Sequence, residues 1–340
     1  MFNKRIKIPE PEEIISATPM TAPLKQIKAE RDKLVSEVIS GKSDKLLMIV
    51  GPCSAHESKP VLEYVERLGK LNERVKEKLV LVPRIYTNKP RTRGVGYKGM
   101  FSQPDPTKSE DILKGIYAIR SLNLKAIEIS GLTAADEMLY PENIHYVDDL
   151  LSYIAVGARS SENQLHRLVA SGIDVPVGIK NPMSGSVRVM LNSIYAAQSA
   201  QVFKLNGWQV KTGGNPLAHA ILRGAVDGYG NDLSNYHYEN VMQTSELYLK
   251  SGLKFPALII DANHSNSRKN FKQQIRICEE VMQNRSYDED FKKIVKGFMI
   301  ESFLEEGNQT EDIIYGKSIT DPCLGWADTE RLILDIAERV

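Results

Sequence analysis

With only three cysteines and a formal net charge of +1 in 340 residues, the chain falls outside several classes of protein. Cys53, Cys278 and Cys323 are too few for a disulfide framework, and a reducing cytoplasm is the compartment expected for such a chain. The 44 basic and 43 acidic side chains nearly cancel, so no global field draws in nucleic acid or an anionic membrane surface. An anion site must be built locally. No apolar run is long enough to span a bilayer, and the first residues, MFNKRIKIPEPEEII, lack the apolar stretch of a signal peptide. Repeats of solenoid period and low-complexity tracts are missing too. A soluble cytoplasmic protein with neither nucleic-acid nor membrane partner is the expectation.

The bulk composition is ordinary, at 42% hydrophobic and 26% charged residues. The length permits two domains, but an α/β barrel of this size is one. Residues 1–22 read as an arm punctuated by Pro9, Pro11 and Pro19. A helix is expected from Leu24 to Ser40, with Ile27, Leu34, Val35 and Val38 near one face and Gly41 as its stop. Eight short apolar runs follow: 46–51, 79–86, one near 124–139, 153–159, 175–181, 219–224, 257–264 and 297–302. Their continuous apolar character suits parallel strands buried on both faces. Helical stretches at 60–77, 109–122, 162–171, 188–199, 238–251 and 270–284 separate them. The pattern predicts a (β/α)8 TIM barrel over residues 46–340 with an N-terminal arm and helix over 1–45, or, alternatively, a doubly wound open sheet. The third strand is ambiguous between KAIEIS (125–130), the better β pattern, and TAADEML (133–139).

The chemistry collects at the ends of these runs. Cys53 follows the first, and Arg84 lies in the second. Arg159, Lys180, Arg223, His264 and Glu301 end the fourth to the eighth. In a barrel these ends converge on one face, where such folds carry their active sites. Each charge alone is more simply a strand meeting water; seven together are not. The basic set Arg84, Lys89, Arg91, Arg159, Lys180 and Arg223 calls for several anionic groups, because guanidinium forks match phosphate and carboxylate. The segment KPRTRGVGYKG (89–99) adds glycine amides and the Thr92 hydroxyl, while Arg93 and Lys98 read as solvated. A second set, Cys53, His264, Glu301 and Asp321, has metal-ligand chemistry. One thiolate, one imidazole and two carboxylates suit Mn2+, Fe2+, Co2+ or Zn2+ better than Ca2+ or Mg2+.

Taken in order, GPCSAH (51–56), KPRTRGVGYKG (89–99), GARSSENQLHR (157–167), PVGIKN (176–181), ILRG (221–224), DANHSNSRK (261–269) and YGKSITDPCLGW (315–326) resemble segments of the type I 3-deoxy-arabino-heptulosonate-7-phosphate (DAHP) synthases. The resemblance runs from about Leu46 to the end. It implies a metal-dependent barrel, a homodimer or homotetramer, that condenses phosphoenolpyruvate with erythrose 4-phosphate at the entry to aromatic amino acid biosynthesis. It implies Cys53, His264, Glu301 and Asp321 as ligands of a divalent metal, Mn2+ first, and Arg84, Lys89, Glu137, Ala158, Arg159, Lys180 and Arg223 at phosphoenolpyruvate. It implies Lys89, Pro90, Arg91, Thr92 and Asp321 at the aldose phosphate. Lys89, Glu137, Cys53 and His264 would then be catalytic, and TAADEML, which carries Glu137, becomes the third strand.

Some residues depart from the family pattern. Phe303 stands where many members have histidine, Asp136 where glycine is usual, and the 89–99 loop is one residue longer. LNGWQVKTGGNPLAH (205–219) is several residues shorter than the corresponding hairpin region of inhibited members, and Asp174 replaces a serine of their effector pocket. Three alternatives stand beside this reading. A related synthase acting on another aldose phosphate is opposed by KPRT, a catalytically silent barrel subunit by retention of all four ligands, and a Schiff base at Lys180 by a reaction that needs no covalent intermediate.

Overall fold

The structure is a computed structural model, and it describes residues 6–91, 94–310 and 314–340. Eight parallel strands form one sheet: β1 (Leu46–Gly51), β2 (Leu79–Pro83), β3 (Ala134–Glu137), β4 (Leu151–Val156), β5 (Val177–Lys180), β6 (His219–Leu222), β7 (Leu258–Asp261) and β8 (Val295–Glu301). The order is β2-β1-β8-β7-β6-β5-β4-β3, and a parallel bridge between Arg84 and Ala135 joins the two ends. The sheet is therefore a closed (β/α)8 barrel, not the open sheet.

Alternation along each strand sorts side chains between two cores. Leu47, Ile49, Val80, Val82, Ala135, Tyr153, Ala155, Ile221, Ile259 and Met299 fill the barrel interior. Their neighbours Met48, Leu81, Ile154, Leu222, Ile260 and Phe298 face outward under the helices. The interior is packed, so nothing passes through it.

Helices α1 (Pro11–Ala17) and α2 (Ala22–Ile39) precede the barrel. The first lies within the arm read at 1–22. Pro11 at its first turn is pre-set for helix, and Ile14 is buried at its centre. Arg120 fixes the segment beyond it, giving Nε to Thr18 Oγ1 at 2.7 Å while forking onto Asp149. Val35, Val38 and Ile39 of α2 join the interior core and plug the end of the barrel opposite the strand C-termini. Each such aliphatic side chain is worth ~1.5–3 kcal/mol when fully buried.

The outer helices are α3 (Ser58–Val75), α4 (Ile112–Ser130), α5 (Gln164–Ala170), α6 (Val187–Gln198), α7 (Tyr238–Lys250), α8 (Gln273–Tyr287), α9 (Glu289–Ile294) and α10 (Trp326–Arg339). KAIEIS belongs to α4, not to a strand. Ile116, Ile119, Asn123, Ala126 and Ile127 recur on its buried face, and Gly131 ends it at φ +67°. Two short 3-10 turns (Pro141–Tyr146, Asp148–Leu150) take the place of a helix after β3. Among the described residues, no helix is long and apolar enough to cross a membrane.

Candidate active site and metal centre

Strand parity builds the site. Continuing the inward alternation by one step places Arg84, Glu137, Lys180, Arg223, Asp261 and Glu301 at the C-terminal rim of the barrel. The loops after the strands add Cys53, Lys89, Pro90, Arg91, Ala158, Arg159, His264 and Asp321. Apart from Asp261, all of these line one cavity of about 460 Å3. The structure thus gathers the residues singled out from the sequence, from positions up to 268 apart. Thr92 and Arg93 lie outside the described residues. Lys98 turns away to Glu110 at the surface.

The basic half is built from buried cations. Arg84, Lys180 and Arg223 are nearly inaccessible, whereas Arg159 stands exposed at the rim. Arg84 gives Nη2 to Glu301 Oε1 at 3.1 Å and stacks its guanidinium 4.0 Å from the Tyr86 ring centre. Among the described residues none accepts from its Nε or Nη1, although both are buried. Two unsatisfied donors of a buried guanidinium at a cavity wall are the provision expected for an anion. Arg223 gives Nη1 to Ser265 Oγ at 3.1 Å, and its backbone N–H is held by Asn181 Oδ1 at 3.0 Å. Glu137 lies against Gly157, where a Cβ would come within 2.6 Å of its Oε1, so a larger residue there would make the carboxylate shift.

In the other half, the ligand atoms of Cys53, Glu301 and Asp321 lie within 4.8 Å of one another. His264 approaches from one side, its Nε2 3.8 Å from Glu301 Oε1, but stands outside that tight group. It sits at φ +50°, a left-handed turn three residues beyond Asp261. Lys89 Nζ occupies the middle, 2.7 Å from Cys53 Sγ and 2.9 Å from Asp321 Oδ2. A cation already nests among these donors, and the mixture of thiol, imidazole and carboxylates fits a divalent transition ion.

The electrostatics follow from burial and these neighbours. Burial, then Glu301, pushes the Cys53 thiol up to about 11. Burial works against the charge on Lys89, but Cys53, Asp321 and Glu301 outweigh it and hold the ammonium well above the usual lysine range. Asp321 is opposed by burial too, yet Lys89 and Lys269 keep its carboxyl well below the usual range. Asp261 is held low in the same way, by His264 and Lys180 against burial.

The sequence profile of the DAHP synthetase I family matches residues 21–333. This chain belongs to the DAHP synthetase I family. Among its relatives, the Phe-sensitive phospho-2-dehydro-3-deoxyheptonate aldolase of Escherichia coli (strain K12) is 39% identical over 340 residues, 97% of this chain and 93% of that one. The Trp-sensitive enzyme of Enterobacter agglomerans is 40% identical over 318 residues, covering 91% and 88%. A solved structure of phospho-2-dehydro-3-deoxyheptonate aldolase from Francisella tularensis SCHU S4 superposes with a TM-score of 0.91 at 29% identity, over 100% of this chain and 98% of that one.

Sequence reasoning missed Asp261, Asn263, Tyr86 and Lys269. Asp261 carried a usable signal, since it ends β7 on the inward parity. The others gain their place only from the fold: Asn263 donates Nδ2–H to Glu301 Oε2, and Lys269 Nζ lies 3.3 Å from Asp321 Oδ1. Two departures from the family pattern also find places. Phe303 is fully buried, 6.1 Å from the rings of both His56 and Tyr64, and packs in the outer core. Asp136 faces outward and accepts from the Thr87 N–H at 2.9 Å and from its hydroxyl.

Proposed function

We propose that this mouth condenses phosphoenolpyruvate with erythrose 4-phosphate and water, giving DAHP and phosphate, with its two halves dividing the work. The observation that carries the reading is the union, in one cavity, of buried cations, Arg84 among them with two free donors, and a thiol–carboxylate cluster bordered by the His264 imidazole. Arg84, Arg159, Lys180 and Arg223 hold the phosphate and carboxylate of phosphoenolpyruvate, with Ala158 contributing backbone contact. Lys89, Pro90, Arg91 and Thr92 meet the aldose phosphate; Arg91 is steadied by its Nε bond to Tyr97 O at 2.8 Å. Asp321 borders the aldose end. The cations offset the repulsion between two phosphorylated anions.

Cys53, His264, Glu301 and Asp321 would hold a divalent ion, Mn2+ first, with Fe2+, Co2+ or Zn2+ as the other candidates. Such an ion supplies Lewis acidity toward the aldehyde. C3 of phosphoenolpyruvate attacks the aldehyde carbon, leaving cationic character at C2. Lys89, protonated and beside the cluster, gives its proton to the new alkoxide oxygen. Glu137 places the water that adds at C2, and phosphate then leaves with C–O cleavage. No bond to the protein forms, so Lys180 acts as an anion ligand.

The chain is read as cytoplasmic and as a homodimer or homotetramer. Trp208 and Val202, 73% and 61% exposed on the hairpin formed by Val202–Leu205 and Trp208–Lys211, are apolar surface that a second copy would cover. Phosphate release from phosphoenolpyruvate with a panel of aldoses tests the activity. Erythrose 4-phosphate should be turned over fastest. Preference for another aldose phosphate would move the chain to a neighbouring specificity, and release with none would mark a silent barrel.

A further inference from the structure

Asp261 ends β7 with its side chain inside the barrel, at 0% exposure and beneath the cavity lining. Its Oδ2 stands 3.0 Å from Lys180 Nζ and 2.8 Å from His264 Nδ1. Its Oδ1 accepts the Asn263 N–H at 3.1 Å, and Asn263 reaches on to Glu301. One carboxylate oxygen is therefore shared between a residue of the anion half and a residue of the metal half. Asp261 itself lines neither.

We propose that Asp261 is a positioning residue that couples the two halves of the site, so that a metal ion at His264 and phosphoenolpyruvate at Lys180 each tighten the binding of the other. The proposal rests on the metal reading given above. The contact of His264 Nδ1 with Oδ2 is an ion-pair contact without hydrogen-bond alignment, so Asp261 acts on the ring through its charge and leaves Nε2, on the side of Glu301, for the metal. A cation held at His264 would draw the charge of Asp261 toward the ring. The Lys180 ammonium is then less neutralised and attracts an anion more strongly. By reciprocity, an anion at Lys180 leaves Oδ2 more fully to His264, by the same factor.

The test is a Co2+ titration of the full chain, read by the thiolate-to-cobalt charge-transfer absorption of Cys53, with and without phosphoenolpyruvate. The ratio of the two Kd values is the coupling factor. In the wild type it should be about fivefold or more, the lower end of ordinary coupling between sites. Asp261→Asn keeps the shape but not the charge. It should weaken Co2+ binding about 10–100-fold, as loss of a ligand's outer partner does, and bring the coupling factor below about twofold. Asp261→Glu restores a displaced carboxylate. It should keep part of the coupling, at less than half the wild-type factor, which serves if the asparagine variant does not fold. A wild-type factor of one, or an unchanged factor in either folded variant, overturns the proposal. A merely structural aspartate would lower Tm and leave the factor alone. No charge-transfer band in the wild type, or a band that survives Cys53→Ala, sinks the metal reading instead.

Discussion

Lys89 Nζ stands 2.7 Å from Cys53 Sγ, so an ammonium and a thiol share one corner of the barrel mouth. If Lys89 supplies the proton to the developing alkoxide, Lys89→Met should lower kcat by about 10²–10⁴-fold, the usual range for a lost general acid. Co2+ affinity should persist or rise, because the ammonium no longer occupies the cluster. Full kcat in the methionine variant would remove Lys89 from the chemistry.

Asp136 gives a pH signature. Burial, against bonds from the Thr87 hydroxyl and N–H, raises its carboxyl to about 7. The folded chain then keeps a proton that the unfolded chain loses near pH 4, so stability falls as pH rises from about 4 to 7 and levels off above. Asp136→Asn preserves the shape and removes the titration. The variant should gain on the wild type across that window, by on the order of 4 kcal/mol at full shift. Parallel Tm curves for the two proteins between pH 5 and 8 would show that Asp136 is ionised throughout.

How far the sequence carried the fold depended on the length scale of each signal. β1 was legible to the residue, because LLMIVG is apolar throughout and ends at a glycine. KAIEIS carried the better β pattern, because Ile127 and Ile129 alternate like a strand, whereas Ile129 is 44% exposed on a helix whose register was set thirteen residues earlier at Ile116. The site's anion and metal halves could be gathered from strand ends. Asp261 ends a strand as well, but its contact with both Lys180 and His264 was not legible, because it depends on strand register. Asp136 looked like a departure near the chemistry, but parity turns it outward.

Effector control is a separate expectation. The relatives carry names that mark them as sensitive to Phe, Trp or Tyr. Here the 202–211 hairpin closes through a tight Asn206–Gly207 turn, both residues at positive φ, and Asp174 is exposed nearby in sequence to β5. An anionic side chain in an effector pocket opposes an amino acid's carboxylate. Steady-state rates should be unchanged by each aromatic amino acid at physiological levels. Strong inhibition by any of them would contradict this, and Asp174→Ser should increase sensitivity if the aspartate is the cause.

Cys323 is fully buried two residues from Asp321, whose Oδ2 lies 3.3 Å from Cys53 Sγ. Metal-free enzyme should lose activity in air by forming a Cys53–Cys323 disulfide, reversibly with a thiol reductant. Burial raises both thiols, so the loss should be slow at pH 7 and accelerate about tenfold per pH unit toward pH 9. Bound metal with phosphoenolpyruvate should protect. Inactivation at the same rate in Cys323→Ser, with no linked peptide on mapping, would leave Cys323 as a packing residue.

Cys53, His264, Glu301 and Asp321 are expected to hold a divalent metal on which the condensation depends. Phosphate release from phosphoenolpyruvate and erythrose 4-phosphate, measured with excess chelator and again after adding Mn2+, tests it most directly. Activity should vanish with chelator and return with the ion, and it should stay at least about 100-fold down in Cys53→Ala, His264→Ala, Glu301→Gln and Asp321→Asn whatever metal is supplied. Full activity of the wild type in excess chelator would contradict the account.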